Sequence, residues 1–103
     1  EGIPAKLLAL DPKRGNLVAR IRGNGSKKPI LVMGHTDVVG VQKEKWSVDP
    51  FAAVRKDGYI WSRGTLDDKD NVTAGLMLML LLKRQGVKLD RDEIGGDAGS
   101  EAT

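Results

Sequence analysis

Apolar and polar positions change period several times along the chain, and each change marks an element. Asn16 to Arg22 reads N-L-V-A-R-I-R and alternates towards its end, the period-two pattern of a half-buried strand. Gly23-Asn24-Gly25-Ser26 follows, a turn by composition because glycine and asparagine tolerate positive φ. Pro29 leads into Ile30-Leu31-Val32-Met33, a continuous apolar run typical of a strand covered on both faces. The two strands and their turn predict a hairpin. The second strand ends on Gly34-His35-Thr36-Asp37, which places polar groups at a strand's C-terminal end, where ligand sites collect in open α/β sheets.

Val41 to Pro50 reads as an irregular loop anchored by Trp46. Ala52–Lys56, Asp57-Gly58 and Tyr59–Arg63 predict a second hairpin, with Asp-Gly as the favoured two-residue turn. After a polar connection comes a helix over Asn71–Gln85. Asp70 is its expected N-cap, Lys83 and Arg84 suit its negative end, and Gly86 closes it. The run Leu76 to Leu82 is apolar all round, which predicts burial on most sides, with Leu76, Leu78, Leu80, Leu81 and Leu82 in the core beside Ile30 and Val32. After Leu89 the pattern fails: residues 90–103 carry one large apolar side chain and three glycines, and read as a loop or tail. The fold class is therefore α/β, a small sheet built from two β-hairpins with a buried leucine-rich helix packed on it.

Composition narrows the function classes. A length of 103 residues allows one domain at most. With no cysteine there is no disulfide scaffold, thiol nucleophile or Cys-ligated metal site. No apolar window is long enough for a membrane helix and no apolar leader-like run opens the sequence, which favours a cytoplasmic location. The net charge of +3 hides an uneven distribution. Six cations and no anion occupy Lys13 to Lys28: Lys13, Arg14, Arg20, Arg22, Lys27 and Lys28. Such a stripe can meet phosphates, but a solvated strand face and turn is the favoured reading, and no nucleic-acid partner is expected.

Two short segments carry candidate chemistry. His35 and Asp37 are two residues apart at a strand end, so they point to the same side. Asp37 can then hold one imidazole nitrogen while the other faces a metal. The ordinary alternative is a surface histidine satisfied by its neighbour. The second segment, Arg63-Gly64-Thr65-Leu66-Asp67-Asp68-Lys69, sets Asp67, Asp68 and Asp70 into the turn that opens the helix. Aspartates there are usually caps, but a cap needs one acid, and a bound cation relieves the repulsion among three.

Taken in order, G-H-T-D-V-V (Gly34–Val39), W-S-V-D-P-F (Trp46–Phe51) and D-G-Y-I-W-S-R-G-T-L-D-D-K (Asp57–Lys69), followed by a leucine-rich helix, resemble the zinc-dependent M20 peptidase family. That family includes acetylornithine deacetylase-like, succinyl-diaminopimelate desuccinylase-like, aminoacylase-like and carboxypeptidase-like enzymes, and the likeness runs from about Asn16 to Leu89. The resemblance implies that His35 is a zinc ligand, that Asp37 is the catalytic-site acid orienting it, and that Asp67 is the carboxylate bridging two zincs, commonly followed by a cis peptide. Asp68 is then a neighbour without a ligand role. The implied activity is metal-assisted hydrolysis of an amide bond in a peptide or N-acyl amino acid.

The family takes its general base from a Glu-Glu pair after a later apolar strand, and this chain contains no such pair. Glu93 and Glu101 are the only glutamates nearby, and neither follows an apolar strand, so neither is assigned that role. The family's second histidine ligand also has no counterpart, since His35 is the only histidine. The chain thus divides into a partial M20-like catalytic domain over 1–89 and a divergent Gly/acid-rich loop or tail over 90–103. At most one weak zinc site is expected. An incomplete sheet with an apolar helix is expected to self-associate as a homo-oligomer, and a non-catalytic self-associating module is the alternative to a hydrolase.

Overall fold

The computed structural model describes residues 1–98. Strands β1 (Ala5–Asp11) and β2 (Arg14–Ile21) form an antiparallel hairpin, closed where the Lys13 N–H donates to Asp11 Oδ1 at 2.9 Å. Sequence assigns no element before Asn16, because Ala-Lys-Leu-Leu-Ala-Leu does not alternate and β1 lies exposed along its length. Strand β3 (Ile30–His35), a short hairpin of β4 (Val54–Lys56) and β5 (Tyr59–Trp61), helix α1 (Lys69–Arg84) and strand β6 (Glu93–Ala98) follow. The main sheet has the order β1-β2-β6-β3, with β4 and β5 forming their own two-stranded sheet.

The α/β class and the hairpin at Asp57-Gly58 agree with the sequence reading. Asp57 and Gly58 take φ of 54° and 78°, the two positive values of a type I′ turn. Two expectations are corrected. Strands β2 and β3 are not a hairpin, because β6 lies between them, antiparallel to β2 and parallel to β3. The segment read as a loop or tail from residue 90 is thus, over Glu93–Ala98, an interior strand of the sheet; residues 99–103 of that segment lie outside the described residues. The physical reason is local. β6 draws its order from backbone ladders on both sides rather than from its own apolar side chains, and Gly95 admits the helix. A Cβ on Gly95 would sit 2.4 Å from Met79 Sδ. The parallel pairing of β3 with β6 requires a crossover, and α1 supplies it.

Helix α1 begins two residues earlier than predicted, with Asp68 rather than Asp70 at the N-cap position. Its C-terminus closes as expected at Gly86. The Val87 N–H donates to Leu82 O and the Gly86 N–H to Lys83 O, both at 3.2 Å, the paired bonds of a Schellman motif. Among the described residues the helix packs chiefly on β3 and β6, and this corrects the expectation of a leucine core. Met79 is the buried apolar residue, at 4% exposure, whereas Leu76 is 55% exposed, Leu78 and Leu81 are also exposed, and Leu80 and Leu82 are half-buried. One helix on one sheet covers a single stripe, so leucines off that stripe stay open, as does Ile30 at the edge.

The basic stripe is partly neutralised. Arg20 Nη2 lies 2.5 Å and Arg22 Nη1 3.7 Å from Asp92 Oδ2, and Lys27 Nζ lies 2.5 Å from Asp90 Oδ2. These pairs tie the end of β2 and the following turn to the approach of β6. Three of the six cations are thereby engaged within the fold.

Candidate metal centre

The site forms where β3 stops and α1 starts. Gly34 makes the approach possible: a Cβ there would meet Val72 Cγ2 at 2.8 Å and Asp68 Oδ2 at 2.9 Å. The helix start can therefore close on the strand end. The His35 backbone N–H donates to Asp68 Oδ2 at 3.3 Å, and Asn71 Nδ2 donates to Asp68 Oδ1. Asp68 thus holds the strand end rather than capping its own helix, a role the sequence does not reveal. The Asp67–Asp68 peptide bond is cis, as the resemblance implies.

These contacts bring the three expected side chains together. His35 Nδ1 lies 3.2 Å from Asp37 Oδ1 and 3.2 Å from the Asp37 carbonyl oxygen. On the opposite edge of the ring, His35 Nε2 lies 3.2 Å from Asp67 Oδ1. Partial desolvation opposes a charge on the ring. The Asp37 carbonyl and the negative charges of Asp37, Asp68 and Asp67 outweigh it, so the His35 pKa lies above the ordinary imidazole value. Asp67 is largely exposed, at 88%, and faces an open cleft of about 270 Å³ lined by His35, Asp37, Ser62, Arg63, Leu66 and Asp67.

The spacing bears directly on metal binding. Zinc bonds to histidine nitrogen and carboxylate oxygen run about 2.0–2.2 Å, so a cation touching donors 3.2 Å apart subtends an angle of about 100°, close to tetrahedral. The pair fits one side of a coordination shell, with Asp37 on the far nitrogen as the orienting acid. Among the described residues no group of three or more His, Cys, Asp or Glu side chains converges to complete it. Asp70 belongs to the first turn of the helix and is not among the residues lining the cleft. Glu93 is buried in the sheet and Glu101 lies outside the described residues.

Comparison with known proteins shows the family of the chain. Residues 31–94 match peptidase family M20/M25/M40, and the chain belongs to that family. Over 57 residues it is 49% identical to the human N-fatty-acyl-amino acid synthase/hydrolase PM20D1, covering 55% of this chain and 11% of that protein. A probable succinyl-diaminopimelate desuccinylase of Staphylococcus epidermidis is 38% identical over 84 residues, covering 80% of this chain and 20% of the relative. An M20 family metallo-carboxypeptidase from Sulfolobus solfataricus, Sso-CP2, superposes with a TM-score of 0.79 at 26% identity, over 97% of this chain and 22% of the other. The chain therefore spans about a tenth to a fifth of the length of these curated relatives. The family is one of amide-bond hydrolases, and its metallopeptidases generally use metal ions. No helix among the described residues is long and apolar enough to cross a membrane.

Proposed function

We propose that this chain supplies one half of the metal site of a zinc-dependent amide hydrolase, with His35 and Asp67 as ligands and Asp37 as the orienting acid. The observation that carries the reading is the 3.2 Å approach of Asp67 Oδ1 to His35 Nε2, with Asp37 held on Nδ1. A divalent ion bound there would polarise a carbonyl and lower the pKa of water. The chain's own contribution is positional. Asp37 keeps the ring presented edge-on to the cleft, and Asp68 fixes the strand end through the His35 N–H. The substrates are peptides or N-acyl amino acids, a reading supported by the likeness to the human N-fatty-acyl-amino acid synthase/hydrolase. With two ligands and no positioned general base among the described residues, one weakly held zinc and no turnover are expected from this chain by itself. Calorimetric titration with zinc tests the assignment: His35→Ala and Asp67→Ala should each weaken binding at least tenfold, and equal affinity in all three proteins would remove them from the site.

A second reading rests on separate observations. Leu7, Leu10, Leu76 and Leu81 are exposed, and β1 and β3 are open sheet edges. We infer that the chain self-associates through these surfaces, because exposed apolar side chains and unpaired strand edges both gain by burial against another copy.

A further inference from the structure

Strand β1 is an open edge with a fixed hydrogen-bonding phase. Among the described residues it pairs with β2 alone, and it is exposed at every residue. The opposite edge, β3, is closed at its C-terminal end, where Gly34 is buried against Val72 and Asp68. The Arg20 N–H donates to the Pro4 carbonyl at 3.1 Å, which continues the register that sets Ala5 opposite Ala19 and Lys6 opposite Val18. Opposed residues of an antiparallel ladder alternate between hydrogen-bonded and non-hydrogen-bonded pairs. Pro4, Lys6 and Leu8 therefore direct their backbone groups at β2, whereas Ala5, Leu7 and Ala9 direct theirs outward. Between Ala9 and Asp11 the strand is bulged, so the regular edge runs from Ala5 to Ala9 with Leu7 at its midpoint.

Side chains follow the same alternation. Ala5 stands opposite Ala19, which stands opposite Gly95, the residue beneath Met79. The outward-bonding residues thus carry their side chains on the helix side of the sheet. There Leu7, 68% exposed, sits between two alanines and opposite Leu17, 43% exposed. Lys6 and Leu8 lie on the other face.

We propose that two copies of this chain pair β1 to β1, antiparallel about a two-fold axis at Leu7, joining two four-stranded sheets into one of eight strands. This rests on the self-association reading and names its edge, register and symmetry. In that register Leu7 meets Leu7 of the second copy, and Ala5 meets Ala9. All three are outward-bonding positions, so the open N–H and C=O groups from Ala5 to Ala9 gain partners. Leu7 and Leu17 of both copies then form one apolar row flanked by alanines. On the other face Lys6 lies across from Leu8, which keeps like charges apart. Centring the pair on Lys6 would oppose lysine to lysine, and centring it on Leu8 would set Ala5 against the bulged stretch at Asp11. The α1 leucines, over β3 and β6, lie away from this seam and remain a separate surface. The His35–Asp67 pair, at the end of β3, is left intact in each copy.

Because the chain has no native cysteine, single-cysteine variants read the register directly. Leu7→Cys sets the two Cα atoms about 5.5 Å apart across the axis, within disulfide reach. Leu8→Cys holds them about 7–8 Å apart, beyond it. Sedimentation of the full chain over a concentration series is run beside copper-phenanthroline oxidation of both variants. A wild-type dimer is expected, with Leu7→Cys cross-linked at least tenfold faster than Leu8→Cys. Leu7→Lys, which places like charges on the axis, should weaken the dimer at least tenfold. A dimer in which Leu8→Cys cross-links as fast, or in which neither variant does, overturns the proposal while leaving self-association standing. A monomer at every concentration overturns both. Should Leu7→Lys not fold, Ala9→Pro takes its place, since it removes an outward N–H and no bond to β2. Its thermal melt should hold while the dimer weakens, and undiminished dimerisation would contradict the β1 seam.

Discussion

Replacing Glu93 by valine should stabilise the chain at neutral pH. Glu93 opens β6 between Ile21 on β2 and Ile30 on β3, at 4% exposure, and neither carboxylate oxygen has a hydrogen-bond partner among the described residues. Burial pushes its pKa up. A buried polar group left without a partner costs about 1–3 kcal/mol, and valine removes that cost while keeping an apolar, β-favouring side chain at the position. Allowing for the smaller volume filled, the net gain is about 1–2 kcal/mol, which for a domain of this size raises Tm by roughly 4–8 °C per kcal/mol. Glu93→Gln should gain less, because its amide remains unpartnered. The pH dependence has a definite sign. With the folded-state pKa raised, the folded chain holds the proton more tightly than the unfolded one. Stability is then greatest below the unfolded pKa and declines as pH rises through the folded value. The advantage of Glu93→Val is accordingly full at neutral pH and shrinks on acidification. Thermal melts followed by circular dichroism at pH 7 and near pH 4 measure it. A variant less stable than wild type at pH 7, or an advantage independent of pH, would refute the reasoning.

Further outcomes follow from the same geometry. Gly34→Ala should cost about 1–3 kcal/mol, because its methyl meets Val72 and Asp68 at under 3 Å, and denaturant melts would show it. Asp92 behaves oppositely to Glu93. The Gly23 N–H and the Arg20 guanidinium hold its carboxyl below the ordinary range, so its stabilisation is present above the unfolded pKa and lost as pH falls through the folded value. An Asp92→Asn variant should flatten that acid limb in urea titrations repeated across pH. Asp37→Asn should weaken zinc about 10–100-fold without removing a ligand, as calorimetry would register. Sedimentation over a concentration series should show association that Leu76→Lys with Leu81→Lys reduces, while a wild-type chain monomeric at high concentration would contradict the self-association reading.

The parts of this fold legible in the sequence are those set by local pattern. The Asp57-Gly58 hairpin, the closure of α1 at Gly86 and the strand ending at His35 each depend on a few adjacent residues. The position of β6 was hidden because its order comes from neighbours distant in sequence. Gly95 and Gly96 read as loop residues, yet both pair with β2 and β3 through their backbones, and Met79 fills the space over Gly95. The burial of the leucines misled for a related reason: an all-apolar helix announces a need for cover, not that one sheet provides it. At the site, motif order singles out His35, Asp37 and Asp67, and the fold brings these side chains together. The linking function of Asp68 depends on a strand end meeting a helix start. Residue type within a motif does not encode those contacts.

The central claim, that His35 and Asp67 share one cation, is tested most directly by anomalous diffraction at the zinc edge from crystals of the chain grown with zinc. A peak is expected about 2.0–2.2 Å from both His35 Nε2 and an Asp67 carboxylate oxygen, with Asp37 still on Nδ1. A zinc peak away from this pair, or no peak there at saturating zinc, would contradict it.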